Sequence, residues 1–137
     1  MFSSGETILL GESYEFDEFF FIRTLKQAHI ACSVRVLETG LEVLHYLQGR
    51  GKFADREEHP LPSVIFLEMY LPTISGLEIL QWAQTQDYLR SIPIVTFVDE
   101  IDSAACERAK SLGALGCIAK PFTIEHIEWL KDQVQHA

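Results

Sequence analysis

Val64-Ile65-Phe66-Leu67-Glu68-Met69-Tyr70-Leu71-Pro72 is the stretch that decides the reading of this chain. Four apolar residues in unbroken succession suit a strand covered on both faces, as in a parallel sheet, better than a strand with one wet side. A carboxylate closes the run. Ser75-Gly76-Leu77-Glu78 then has the S-x-x-E form of a capping box and predicts a helix to about Gln86. Strand, acid, turn and helix in that order make half of a parallel βαβ unit.

The same alternation runs outward in both directions. Thr7 to Leu10 reads as a first strand, followed by an acidic, aromatic helix from about Glu15 to His29. Val34 to Leu37 is a second strand, and Thr39-Gly40-Leu41-Glu42 is another capping box, opening a helix through about Gln48. Gly49 to Pro62 is a polar loop, longer than most connections and therefore functional or mobile. Beyond the central stretch, Ile94 to Val98 is a fourth strand. Asp102 caps a helix ending near Leu112-Gly113, where Gly113 suits a left-handed C-cap. Cys117 to Ala119 is a short fifth strand, and Thr123 caps a last helix carrying the stripe Ile127, Leu130, Val134. Strands separated by helices imply a doubly wound five-stranded parallel α/β sheet with right-handed crossovers. No repeat or linker interrupts it, so residues 1–137 read as a single domain.

Composition supports this and excludes several classes. Of 137 residues, 47% are hydrophobic and 23% charged, enough for a packed core and too apolar for disorder. A net charge of −9 repels phosphate backbones and anionic membrane surfaces, so neither nucleic acid nor membrane is an expected partner. No apolar run approaches the roughly 20 residues of a membrane span, and the first residues lack a signal-peptide pattern. The three cysteines, Cys32, Cys106 and Cys117, form no C-x-x-C motif and are odd in number. They read as buried free thiols in a reducing cytoplasm.

Ligands of such sheets bind beyond the carboxyl ends of the strands. The residues there are Gly11 to Tyr14, Glu68 to Tyr70, Val98 to Glu100 and Ala119 to Pro121. Four blocks at those ends carry a resemblance: Ile8 through Ser13, Val64 through Pro72 with Ser75-Gly76, Ile92 through Val98, and Leu112-Gly113-Ala114 through Ala119-Lys120-Pro121-Phe122. In order and spacing they resemble the receiver domain of two-component response regulators. Tyr46-Leu47-Gln48-Gly49-Arg50-Gly51-Lys52-Phe53-Ala54 and its proline-bearing loop are similar to the small stand-alone receivers that work with phytochrome-type histidine kinases. The resemblance implies a flavodoxin-like fold with strand order 2-1-3-4-5, a sensor histidine kinase or other signalling protein as partner, and a possible homodimer through the fourth helix, fifth strand and fifth helix.

It also implies chemistry that this chain departs from. A receiver holds Mg²⁺ with two acids after the first strand and an aspartate after the third, and that aspartate attacks a phosphoryl group in line. A Ser or Thr after the fourth strand and a lysine after the fifth steady the phosphoryl oxygens. Here Ser13 replaces the second acid, Glu68 the nucleophile, Val98 the hydroxyl, and Cys117 an aromatic residue. Thr96 does not rescue the hydroxyl, being two residues earlier. Glu12 and Lys120 remain. A displaced nucleophile beside a depleted metal site is expected to be close to inactive, since a 1 Å misplacement costs about a hundredfold.

The expectation is a degenerate receiver: a non-enzymatic binding module, with no resident cofactor and no catalytic residue. Glu12 and Glu68 offer at most a weak Mg²⁺-type site. Glu68 is expected to pair with Lys120, as a plain ion pair or as a lasting imitation of the phosphorylated state. The alternative is a working receiver phosphorylated at Glu68. A flavin or nucleotide binder has little support, because Gly11-Glu12-Ser13-Tyr14 is no phosphate cradle. Asp99 and Glu100 read as solvated loop acids. His29, His45, His59, His126 and His136 show no ligand or triad spacing. Among Phe16, Phe19, Phe20 and Phe21, most are expected in the core with one partly exposed. Trp129, off the last helix's stripe, is either edge packing or an interface anchor.

Overall fold

The computed structural model describes residues 2–135. Its strands are β1 (Thr7–Gly11), β2 (Ser33–Leu37), β3 (Val64–Glu68), β4 (Ile94–Val98) and β5 (Gly116–Ala119). All pair in parallel, in the order β2-β1-β3-β4-β5. The helices are α1 (Glu15–Gln27), α2 (Gly40–Gln48), α3 (Gly76–Ala83), α4 (Ser103–Ser111) and α5 (Ile124–Gln135). The architecture is therefore the five-stranded doubly wound sheet expected from the alternation.

The central run is apolar throughout because its two faces feed two cores. Ile65 and Leu67 join Leu9, Val43, Leu47, Ile79 and Leu80 under α2 and α3. Val64 and Phe66 join Ile8, Leu10, Phe21, Val95 and Phe97, with Ile127 and Leu130 of α5, on the other face. Phe66 is fully buried, its ring stacked 5.6 Å from Phe97 and edge-on to Phe21 at 4.9 Å. Burying one such side chain stabilises by roughly 1.5–3 kcal/mol.

Local signals set the helix starts. Thr39 accepts the Glu42 amide and Ser75 the Glu78 amide, and Asp102 accepts from Ala104 and Ala105. Gly113 takes φ 105° after α4, as a left-handed turn requires. Gly76 brings the start of α3 onto the end of β3, where a Cβ would stand 2.5 Å from the Glu68 carbonyl oxygen. Only glycine allows that approach.

The structure departs from the sequence reading in several places. Helix α3 ends at Ala83, three residues early: Thr85 Oγ1 donates to the Trp82 carbonyl, and a 3₁₀ turn follows at Asp87–Leu89. The loop after α2 is anchored along its length. Arg56 donates to the carbonyls of Tyr46, Leu47 and His59, and the Tyr46 hydroxyl to Pro60. Its guanidinium thus serves carbonyls at the end of α2.

Cysteine provides a correction. Cys106 on α4 and Cys117 on β5 form a disulfide, and Cys32 alone is a free thiol, partly exposed. Helix α4 folds back over β5 and leaves the two Cα atoms 5.5 Å apart, within bonding range, which a spacing of 11 residues does not reveal. On α1 the aromatic expectation is reversed: Phe21 is buried, whereas Phe16, Phe19 and Phe20 are 79%, 58% and 44% exposed. The helix turns only about 100° per residue, and Phe21, Thr24 and Leu25 already fill its inner face. Trp129 is half-buried against the second core, its ring over Gly116, which is edge packing. Val134, at the end of the α5 stripe, is 36% exposed. Among the described residues, no helix is long and apolar enough to cross a membrane.

Candidate functional site

Parallel strands end on one rim, so residues distant in sequence converge there. Glu12 follows β1, Glu68 closes β3, and Lys120 follows β5 in a cis peptide with Pro121. The Lys120 amide donates to the Val98 carbonyl at 2.9 Å, tying the end of β5 to β4.

Lys120 is the hub. Its ammonium lies 2.9 Å from Glu12 Oε2, 2.9 Å from Asp17 Oδ2, 3.4 Å from Glu68 Oε1 and 3.7 Å from Asp99 Oδ1. Glu68 does reach the lysine, yet it is not the nearest acid. The Lys120, Glu12 and Glu68 side chains are 10%, 2% and 8% exposed, so this is a buried cluster. Tyr14 roofs it, with Nζ 5.6 Å from the ring centre.

Buried charge needs partners, and each carboxylate oxygen of Glu12 and Glu68 has one. Glu12 Oε1 accepts from the amides of Ser13 and Tyr14, at 3.1 and 3.2 Å, and from Lys120. Glu68 Oε2 accepts from Ser13 Oγ at 2.9 Å and more weakly from the Ser13 amide at 3.4 Å. Glu68 Oε1 and Glu12 Oε2 face the ammonium.

Titration follows the same geometry. Burial pushes the Glu12 carboxyl up from its usual value; Lys120 opposes this and the Glu68 charge adds to it, leaving it raised. Burial also pulls the lysine down, but its hydrogen bonds to Asp17 and Glu12 and the charges of Glu12 and Glu68 outweigh that, holding it well above 10.5. The lysine is a permanent cation at neutral pH.

Mg²⁺ fits this donor set poorly. It needs free carboxylate oxygens in near-octahedral array, whereas those of Glu12 and Glu68 already accept from Lys120, Ser13 and Tyr14. Among the described residues no three His, Cys, Asp or Glu side chains are grouped to hold a metal. The hydroxyl position is equally bare. Val98 is buried in the core at 4% exposure, and Thr96 turns its hydroxyl to the Gly116 carbonyl at 3.4 Å, inside the sheet. Cys117 is bonded to Cys106 and touches none of this.

Two contributors escape the sequence reading. Asp17, in the first turn of α1, is as close to Lys120 as Glu12 is. Its signal is legible afterwards: an acid in the first turn of the helix that follows β1 stands over the same rim. Ser13 counts in the sequence as a lost carboxylate but acts as the hydroxyl donor to Glu68. Glu100 is exposed and Asp99 is 80% exposed, making only the long contact. Among the histidines, His59 sits edge-on to Phe53 and Tyr46, and His126 Nδ1 accepts the Thr123 amide at the start of α5. His136 lies outside the described residues.

Comparison with known proteins places the fold in a family. The polar-differentiation response regulator DivK of Brucella anthropi is 29% identical over 100 residues, covering 72% of this chain and 80% of that protein. The solved bacteriophytochrome response regulator AtBRR superposes with a TM-score of 0.83 at 28% identity, covering 96% of this chain and 93% of its own. RtBRR, another bacteriophytochrome response regulator, gives 0.83 at 29% identity, covering 95% and 78%. The family model for the response regulator receiver domain matches residues 19–130, most of the chain. With sheet order and family match in agreement, the chain belongs to the response regulator receiver domains of two-component signalling.

Proposed function

We propose that this receiver is degenerate: a protein-interaction module with little or no phosphoacceptor activity, and not an enzyme. The observation that carries this reading is the state of Glu68. Ser13 and Lys120 occupy its two oxygens, and its neighbour Glu12 is equally committed. In-line attack needs a free oxygen, a metal to neutralise the incoming phosphoryl group, and a hydroxyl to steady it. An added phosphoryl group would instead meet four carboxylates around one ammonium, with Val98 where the hydroxyl belongs. Lys120 and Ser13 already take up the Glu12 and Glu68 oxygens that a Mg²⁺ would need.

The partner in this reading is a sensor histidine kinase or another signalling protein, bound through shape rather than phosphate chemistry. The net charge of −9 speaks against nucleic acid. We read the chain as cytoplasmic, where Cys106 and Cys117 would be held largely as thiols. A homodimer through α4, β5 and α5 would rest on a small apolar surface. Among the described residues of those elements the large exposed apolar side chains are Ile124 and Val134, and α4 offers none.

Incubation with a small-molecule phosphodonor and Mg²⁺, followed by intact mass, is the test. No gain is expected. A stoichiometric gain of about 80 Da, one phosphoryl group, that disappears in Glu68→Ala establishes the alternative, a working receiver phosphorylated at Glu68.

A further inference from the structure

The outer face of α1 is the unexplained surface of this molecule. Phe16, Phe19 and Phe20 leave nearly two full rings in water, about 300–400 Å² of apolar surface on one helix. That is the size of the largest apolar patch on a typical monomer, and such patches are often functional. Glu15 and Glu18 lie at one end of this face, Arg23 and Lys26 at the other, with Ile22 between them.

None of these four charges forms an ion pair among the described residues. Their spacing explains why. Residues three and four apart meet on a helix, and from Glu15 those positions hold Glu18 and Phe19; from Glu18 they hold Phe21 and Ile22. No base stands where either acid could reach it. Acids at the start and bases at the end do suit the helix dipole, but the dipole does not account for three exposed phenylalanines.

We propose that α1 is the contact face of a symmetric homodimer, in which two copies pack their first helices antiparallel. A two-fold axis passing between residues 20 and 21 sets Glu15 opposite Lys26 of the other copy and Phe19 opposite Ile22, with Glu18 and Arg23 at the two edges of the seam. Both facing pairs are complementary, and the symmetry repeats each one. Such self-complementarity is what an isologous interface requires. A second copy satisfies it without any further assumption, which a different partner would not. Phe16 and Phe20 flank the seam and lie against the aliphatic stems of Arg23 and Lys26. The area falls short of the roughly 800 Å² per partner of a standard interface, so association is weak and concentration-dependent. The proposal is independent of whether Glu68 accepts phosphate, and it uses a different face from α4, β5 and α5.

Sedimentation of the full chain tests it, from about 10 µM to about 1 mM, the range in which so small an interface assembles. The mass is expected to rise from 15.6 kDa towards twice that value. Phe19→Asp, at an exposed position, is expected to weaken the dimer about tenfold or more while leaving the circular dichroism unchanged. Charge reversal gives a second, independent readout. Glu15→Lys/Glu18→Lys makes the face all basic, and Arg23→Glu/Lys26→Glu makes it all acidic. Each is expected to stay monomeric alone, and an equimolar mixture to form a heterodimer. A monomer at every concentration overturns the proposal, as would follow if another protein's helix were the occupant. So does a dimer that survives Phe19→Asp, or a mixture that does not associate.

Discussion

Replacing Lys120 by methionine keeps most of the side-chain volume and removes the charge on which Glu12, Asp17 and Glu68 converge. The magnitude follows from burial. Glu12 and Lys120 are 2% and 10% exposed and lie 2.9 Å apart. Deleting one partner of such a buried pair costs about 3–5 kcal/mol, because the other charge is left uncompensated. Asp17, one-third exposed, adds less than about 1 kcal/mol, and Asp99, 80% exposed, adds essentially nothing. The expected loss at neutral pH is therefore about 3–4 kcal/mol, a large share of a small domain's stability. Acidity should relieve it. Lys120 is what holds the Glu12 carboxyl down against burial and the Glu68 charge, so without it Glu12 rises further. A carboxyl whose folded pKa is raised binds its proton more tightly folded than unfolded. Its penalty is thus full above the folded pKa and shrinks as pH falls towards the usual 4.5. Urea unfolding followed by Trp82 and Trp129 fluorescence, at about pH 8 and about pH 5, measures this. A deficit under about 1 kcal/mol at the higher pH, or one that does not shrink on acidification, would refute the cluster as described.

Four further outcomes are expected. Ser13→Ala removes the 2.9 Å bond to Glu68 and leaves only the longer amide contact, lowering stability by about 1.5–3 kcal/mol in the same assay. Alkali acts on wild type in the opposite sense from acid on the variant. Lys120 is raised above its usual 10.5, so its contribution is complete below that pH and lost as pH climbs through the folded value; Lys120→Met should lack this alkaline loss. Arg56→Ala removes the bonds to two carbonyls at the end of α2 and to that of His59, and is expected to cost about 2 kcal/mol and to open the loop over 49–62 to limited proteolysis. Cys117→Ser, or reduction, removes a cross-link over 11 residues and is expected to lower oxidised-state stability by about 3 kcal/mol in urea; equal midpoints with and without reductant would refute a formed bond.

Most of the fold is legible in the sequence because its signals are local. The unbroken run Val64 to Leu67 announces a strand covered on both faces. Thr39, Ser75, Asp102 and Gly113 mark helix ends through hydrogen bonds or backbone geometry spanning two or three residues. Where the reading of elements fails, a local competitor prevails, as when Thr85 and the turn at Asp87–Leu89 stop α3 early. The candidate site is legible only as a set of rim positions. Glu12, Glu68 and Lys120 can be named from their strand ends, but Asp17 and the Ser13 hydroxyl bond cannot.

What the sequence by itself determines is therefore the strand–helix alternation, the receiver kinship and the departures in residue type at Ser13, Glu68, Val98 and Cys117. Those are matters of residue type and of spacing over a few positions. The tertiary structure decides which charges meet. Lys120 finds Glu12 across 108 positions and Glu68 across 52, and chooses Asp17 and Glu12 as its nearest partners. It also decides that Cys106 meets Cys117, and that Phe21 rather than Phe19 faces the sheet. The physical reason is the same in each case. Coulomb energy, bond formation and burial depend on distance in space, and the folding of parallel strands onto one rim sets those distances without leaving a local trace in the chain.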